Sequence, residues 1–122
     1  MWDKAKATDL MKAFITGQSL DKIEAVLCNN DDMALGAIDA MERKGIVGNS
    51  IKLVGIDGTP VGQEALEEGK LFGTVESDKQ KYASVIFDIA SSLAMGKDVK
   101  DKVDLEDGKY YWCPQIALTK QR

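Results

Sequence analysis

Four times along the chain, an apolar pattern of helical period gives way through glycine and polar residues to a short β-favouring run. Ala7, Leu10, Met11, Phe14 and Ile15 recur at spacings of three and four, which predicts a helix over residues 3–16 ended by Gly17. Residues 19–22 read as a turn and 23–28 as a buried strand. A second helix is expected over 31–44, with Met33, Ala37, Ile38 and Met41 inward and Gly45 beyond its end. Gly48-Asn49 reads as a turn and 51–56 as the next strand. Pro60 suits the first turn of a short helix through Glu68, because its missing N–H is not needed there. Gly69 stops that helix, and 71–75 form a third strand. Ser77 or Asp78 caps a helix to about residue 95, with Ala83, Ile86, Phe87, Ala90 and Leu93 as its inner stripe and Gly96 at its end. Residues 97–108 are charged and loop-like. The last strand is expected over 110–118, with Tyr110, Tyr111 and Trp112 as packing residues and Pro114 marking an edge or a break.

The order α-β-α-β-α-β-α-β predicts an α/β fold, a parallel sheet of about four strands with helices on its faces. The chain opens on a helix where a doubly wound domain opens on a strand, so the pattern reads as part of a larger fold. At 122 residues it is long enough for one domain with a modest core.

The polar breaks carry the chemistry. Val26-Leu27-Cys28 runs abruptly into Asn29-Asn30-Asp31-Asp32, and similar breaks follow at Ile56-Asp57-Gly58 and Val75-Glu76-Ser77-Asp78. In a parallel sheet these are carboxyl ends of strands, the rim where ligands bind. Amides donate and accept while carboxylates accept at two oxygens, a combination that satisfies vicinal hydroxyls. Asn30 is the foremost candidate ligand, although Asn30 or Asp31 also suits the cap of the following helix. Asp57 reads equally as a ligand or as an Asx turn leading into the Pro60 helix. For Ser77 a helix cap is the default reading and ligand contact the alternative. Trp2 offers a flat apolar face near an end of the sheet, as the C–H face of a sugar ring requires.

Composition removes other classes. Sixteen basic against 20 acidic residues give a net charge of −4, against nucleic-acid or anionic-membrane binding, which need a basic patch. Histidine is absent, and with it the Ser-His and Cys-His nucleophile schemes. Cys28 and Cys113 are too few for a disulfide framework or a zinc site, and buried free thiols are expected. No apolar run has membrane-spanning length, and Met1-Trp2-Asp3-Lys4 does not read as a signal peptide. Asp31, Asp32 and Asp57 echo the acidic cluster of a phospho-receiver domain. They are separated by only one α-β unit, however, and the later lysine is missing. No phosphate-binding glycine loop is present.

The string from Lys22 through Val26-Leu27-Cys28-Asn29-Asn30-Asp31-Asp32-Met33-Ala34 to Ala37, followed by Leu53-Val54-Gly55-Ile56-Asp57 and Gly73-Thr74-Val75, resembles the C-terminal lobe of periplasmic sugar-binding proteins of ABC transporters. The galactose/glucose-binding type is the nearest match. The likeness extends to Met1-Trp2-Asp3 and weakens after about Gly96. It implies a type I binding-protein lobe that binds a monosaccharide such as galactose or glucose, without catalysis. By that resemblance Trp2 stacks on the pyranose, and Asn30 and Asp57 hydrogen-bond its hydroxyls. Ser77 stands where the family carries an asparagine at the hinge. Glu24 aligns with a carboxylate that completes a calcium site in the intact protein, with no calcium expected in this segment.

The resemblance further implies an extracytoplasmic location, a role in uptake and chemotaxis, and an ABC permease as partner. On its terms, residues 1–75 form a portion of the C-terminal lobe, 76–96 a crossover helix belonging to the absent N-terminal lobe, and 97–122 a return segment. The helix 78–95 then has an apolar stripe to hide, by self-association or by docking elsewhere. The alternative within the fold is the effector-binding lobe of a LacI-type sugar-responsive transcription regulator. A small α/β enzyme is the third reading, disfavoured by the absent histidine and phosphate loop.

Overall fold

The computed structural model describes residues 2–17, 20–46 and 50–120. Met1, Ser19 and the expected Gly48-Asn49 turn lie outside the described residues. The chain forms two compact units, one of residues 1–76 with 117–122 and one of residues 77–116.

In the first unit α1 (Lys4–Thr16) begins at Asp3, whose Oδ1 accepts from the Ala5 N–H at 2.8 Å. That bond satisfies one of the donors orphaned at a helix start. Gly17 closes it by donating to the Ala13 carbonyl. A 3₁₀ turn, Leu20–Lys22, leads to β1 (Ala25–Leu27). Then follow α2 (Asp31–Glu42), β2 (Lys52–Val54), α3 (Pro60–Glu67) and β3 (Gly73–Ser77). The strand order is β1-β2-β3-β4, with β4 (Gln115–Thr119) last. β1 runs parallel to β2 with Ala25 opposite Lys52, and β2 runs parallel to β3 with Val54 opposite Gly73. The strands are shorter than the apolar runs suggest. The backbone pairing nevertheless continues past them, from Lys52 N to Glu24 O at 3.0 Å and from Cys28 N to Val54 O at 2.8 Å.

The core joins α2 to the sheet. Ala34, Ala37, Ile38 and Met41 pack with Ile51, Leu53, Leu71 and with Ala65 and Leu66 of α3. Burying a side chain such as Leu53 or Leu71 contributes about 1.5–3 kcal/mol. Met11 and Ala7 are the buried residues of α1. Leu10 and Phe14, expected inward, stay largely exposed and instead line an apolar groove with Leu27 and Met33. α1 lies against α2 where Gly36 lacks a side chain: the Lys4 carbonyl occupies the space a Cβ would need. Thr8 Oγ1 donates to the Gly36 carbonyl at 2.9 Å, and Lys12 and Arg43 border one surface depression a few turns along. The two helices therefore run in the same direction, with the first turn of α1 against the middle of α2.

In the second unit α4 (Lys79–Ala94) is capped by Asp78, not Ser77, because Asp78 Oδ1 accepts from the Lys81 N–H at 2.9 Å. The helix buries Val85 and Ser92. The expected inner stripe is instead exposed, with Phe87 at 70% and Ala83, Ile86, Ala90 and Leu93 also open. α4 meets the 3₁₀ turn Val99–Asp101, in a tail expected to be loop, and that turn covers a different side of the helix. The last strand starts only after Pro114, whose missing N–H cannot join a ladder. Tyr110 and Trp112 are therefore not strand packing residues. Their rings stack on each other at 6.3 Å and remain mostly exposed.

Candidate functional site

The carboxyl ends of β1 and β2 are tied by one backbone bond, from Asp31 N to Ile56 O at 2.8 Å. Asn30 immediately precedes its donor and Asp57 immediately follows its acceptor, so the fold brings these two predicted residues side by side.

Asn30 performs the capping role the sequence suggested for it. Its Oδ1 caps α2, accepting from the Met33 N–H at 2.8 Å. The remaining amide nitrogen carries two N–H donors. Asp57 offers the opposite polarity. Its side chain is exposed, and among the described residues no donor reaches its carboxylate. Its φ of 106° lies in the region that disfavours any residue with a Cβ. Gly58 follows at φ 56°, and its missing side chain leaves room for Glu76. An aspartate thus sits on glycine-type backbone with its side chain turned to solvent.

A buried network holds this strained turn. Asp31 is 0% exposed. Its Oδ2 accepts from Thr59 N at 2.7 Å and Thr59 Oγ1 at 2.9 Å, and its Oδ1 from Thr74 Oγ1 at 2.5 Å. Thr74 Oγ1 in turn accepts from Gly58 N at 3.3 Å. Gly55 and Gly62 face the same carboxylate at distances that leave no space for a Cβ on either. Asp57 N donates to Val75 O at 2.8 Å and Gln63 Nε2 to Gly58 O at 2.9 Å. Thr59, with Pro60 at the first helical position, caps α3 by accepting from Gly62 N at 3.1 Å. Sequence patterning read Asp31 as a cap, as one of four polar groups at a strand end and as part of an acidic cluster, and never as a buried joint. The glycines at 55 and 62 and threonines at 59 and 74 become its surroundings only in three dimensions.

Trp2 stands one residue before the α1 cap and is 68% exposed. Among the described residues no hydrogen bond or ring contact joins it to Asn30 or Asp57. Ser77 belongs to the second unit, where its hydroxyl donates to Gln115 Oε1 at 3.1 Å. Glu24 precedes β1 and is exposed, so the whole of β1 separates it from Asn30. Among the described residues no group of three acidic, histidine or cysteine side chains could hold a metal. A lone carboxylate does not fit calcium, which takes six to eight oxygens. Both cysteines are free and half-buried. Burial pushes the Cys28 thiol pKa up. No helix among the described residues is long and apolar enough to cross a membrane.

Comparison with known proteins places these features in a family. The profile of the periplasmic binding protein domain matches residues 1–98. The D-galactose/methyl-galactoside binding periplasmic protein MglB of Haemophilus influenzae is 32% identical over 122 residues, covering 98% of this chain and 36% of that protein. The ribose import binding protein RbsB of Salmonella typhimurium is 32% identical over 107 residues, covering 86% and 35%. An ABC transporter solute binding protein of Bacillus halodurans, solved with bound myo-inositol, superposes with a TM-score of 0.74 at 32% identity, covering 97% of this chain and 37% of that one. A periplasmic solute binding protein of Actinobacillus succinogenes with bound D-allose shares the fold, with a TM-score of 0.80 at 21% identity over 98% and 38%. The chain spans about a third of the length of the curated relatives it matches.

Proposed function

This chain belongs to the periplasmic binding protein domain family, and from that premise we propose that it supplies one wall of the sugar site in the substrate-binding component of an ABC uptake system. The protein acts outside the cytoplasm and binds without chemistry. The observation that carries the reading is the backbone bond from Asp31 N to Ile56 O, which sets Asn30 and Asp57 at adjacent strand ends. Asn30 has spent its oxygen on the helix cap and offers donors, whereas Asp57 offers only acceptors. A hydroxyl both donates and accepts, so a pair of neighbouring hydroxyls satisfies both residues at once. A carboxylate ligand would meet Asp57 with like charge. Trp2 adds an apolar face for ring C–H groups.

Monosaccharides of the galactose or glucose type are the proposed ligands. MglB is named for galactosides, RbsB for ribose, and the solved relatives hold myo-inositol and D-allose. All are polyols, and the polarity of the Asn30–Asp57 pair suits that class. In the intact protein a second wall closes over the ligand by hinge motion, and the closed form is what the permease recognises. Ser77 is proposed to contact the ligand by hydroxyl.

Isothermal titration of D-galactose, D-glucose, D-ribose and myo-inositol into the full-length parent tests this. Binding of at least one, weakened at least tenfold by Trp2→Ala, is expected. Absence of heat with all four removes the assignment. A Trp2→Ala variant with parental affinity removes the stacking role alone.

A further inference from the structure

Asp31 touches each side of the Asp57 turn. Its backbone N–H holds Ile56 O, one carboxylate oxygen holds both polar groups of Thr59, and the other reaches Gly58 N through Thr74 Oγ1. One residue thereby grips the positions before and after Asp57, while being the next residue in sequence to Asn30. We propose that Asp31, acting with Thr74, is a positioning residue that fixes Asp57 against Asn30 and so sets ligand affinity without touching the ligand. This deepens the sugar-binding reading and rests on it.

Three observations support the assignment. First, a side chain with no exposure cannot meet a ligand, so any influence on binding must pass through its partners. Second, Asp57 sits at φ 106°. Backbone in that region persists only when its surroundings over-determine it, and the bonds at Asp57 N, Gly58 N, Gly58 O and Thr59 N do so. Third, the carboxylate has been given its space by two glycines, since a Cβ at Gly55 or Gly62 would collide with it. The turn and the start of α2 therefore share one rigid joint, and preorganised ligands need not be ordered at the moment of binding.

The test uses the full-length parent and Thr74→Val, which matches the threonine in shape but cannot relay the Gly58 N–H to Asp31, with Thr74→Ser as the conservative rescue. Two measurements are made. Amide hydrogen exchange of the free protein should quicken about tenfold or more at Asp57 and Gly58 in Thr74→Val, consistent with local opening. Leu53 and Leu66 should keep their protection, and Thr74→Ser should restore the turn. Titration with D-galactose, D-ribose and myo-inositol should show affinity for the bound sugar falling about tenfold in Thr74→Val, within the range seen for coupled contacts, and recovering in Thr74→Ser. Unchanged exchange at Asp57 and Gly58, or faster exchange spread evenly through the core, overturns the positioning role. So does a loosened turn with undiminished affinity. If the parent binds none of the three sugars, the sugar reading fails, and the exchange measurement still decides whether Thr74 and Asp31 hold the turn.

Discussion

Replacing Asp31 by alanine probes the joint on which the rim is built. The carboxylate accepts three hydrogen bonds at 2.5–2.9 Å in a site with no solvent exposure. A bond to a charged acceptor contributes about 1.5–3 kcal/mol net, and a stranded buried donor costs about 1–3 kcal/mol. The two threonine hydroxyls can rotate to other acceptors, but the Thr59 N–H is fixed by the backbone and cannot. The expected loss is therefore about 3–5 kcal/mol, below the naive sum of three charged bonds. Set against a total stability of about 5–15 kcal/mol, that is about a fifth or more of what holds a domain of this size. Urea unfolding of the chain, followed by far-ultraviolet circular dichroism, should show the midpoint falling by roughly 1–5 M at ordinary slopes. Asp32→Ala is the control. Asp32 occupies the same first turn of α2 but is exposed, so its loss should cost under about 1 kcal/mol. A midpoint for Asp31→Ala equal to that of Asp32→Ala would refute the reasoning, because the network would then contribute nothing beyond helix-end electrostatics.

Three further outcomes follow from particular residues. Asp57→Gly should raise the melting temperature by a few degrees, since relief of about 1–3 kcal/mol of backbone strain outweighs glycine's added unfolded-state entropy of about 0.4–1 kcal/mol; sugar affinity of the parent should fall at the same time. A lowered melting temperature in differential scanning calorimetry contradicts the strain. Asn30→Asp should keep stability within about 0.5 kcal/mol, because aspartate caps as well as asparagine. Titration should nonetheless show weaker sugar binding from the lost N–H donors, whereas Asn30→Ala should lose about 1 kcal/mol as well. Burial raises the Cys28 thiol pKa above its unfolded value. Its contribution to stability is then complete below the unfolded pKa and is lost as pH rises through the folded one. In a Cys113→Ser background, iodoacetamide should therefore label the folded chain at its thiolate-limited rate only at higher pH than the urea-unfolded chain, and coincident pH profiles would contradict this.

Local pattern carried the element order, because glycines, caps and the Pro60 start are written within a few residues of the elements they bound. It carried the placing of Asn30 and Asp57 at strand ends as well, since polar residues that interrupt an apolar run mark such ends. Two things were not legible. The carboxylate at 31 looks like one of four interchangeable polar groups until Thr59 and Thr74, 28 and 43 residues away, are seen to enclose it. Helical period reported the apolar face of α4 but not what covers it, and in the second unit Val85 and Ser92 are buried while the richer stripe is not. The position of the last strand was misjudged for a simpler reason. Aromatic residues at 110–112 have strand propensity, yet Pro114 sets the boundary.

The first strand in the sheet order, β1, has a backbone neighbour on only one flank among the described residues, and its last residue, Leu27, is 79% exposed. Unsatisfied amides and carbonyls along such a margin are a template on which another chain can crystallise, strand by strand. Concentration thus becomes a variable of folding for this polypeptide when handled alone: refolding at high density should favour insoluble fibrils, and a lysine at position 27 should keep the material in solution.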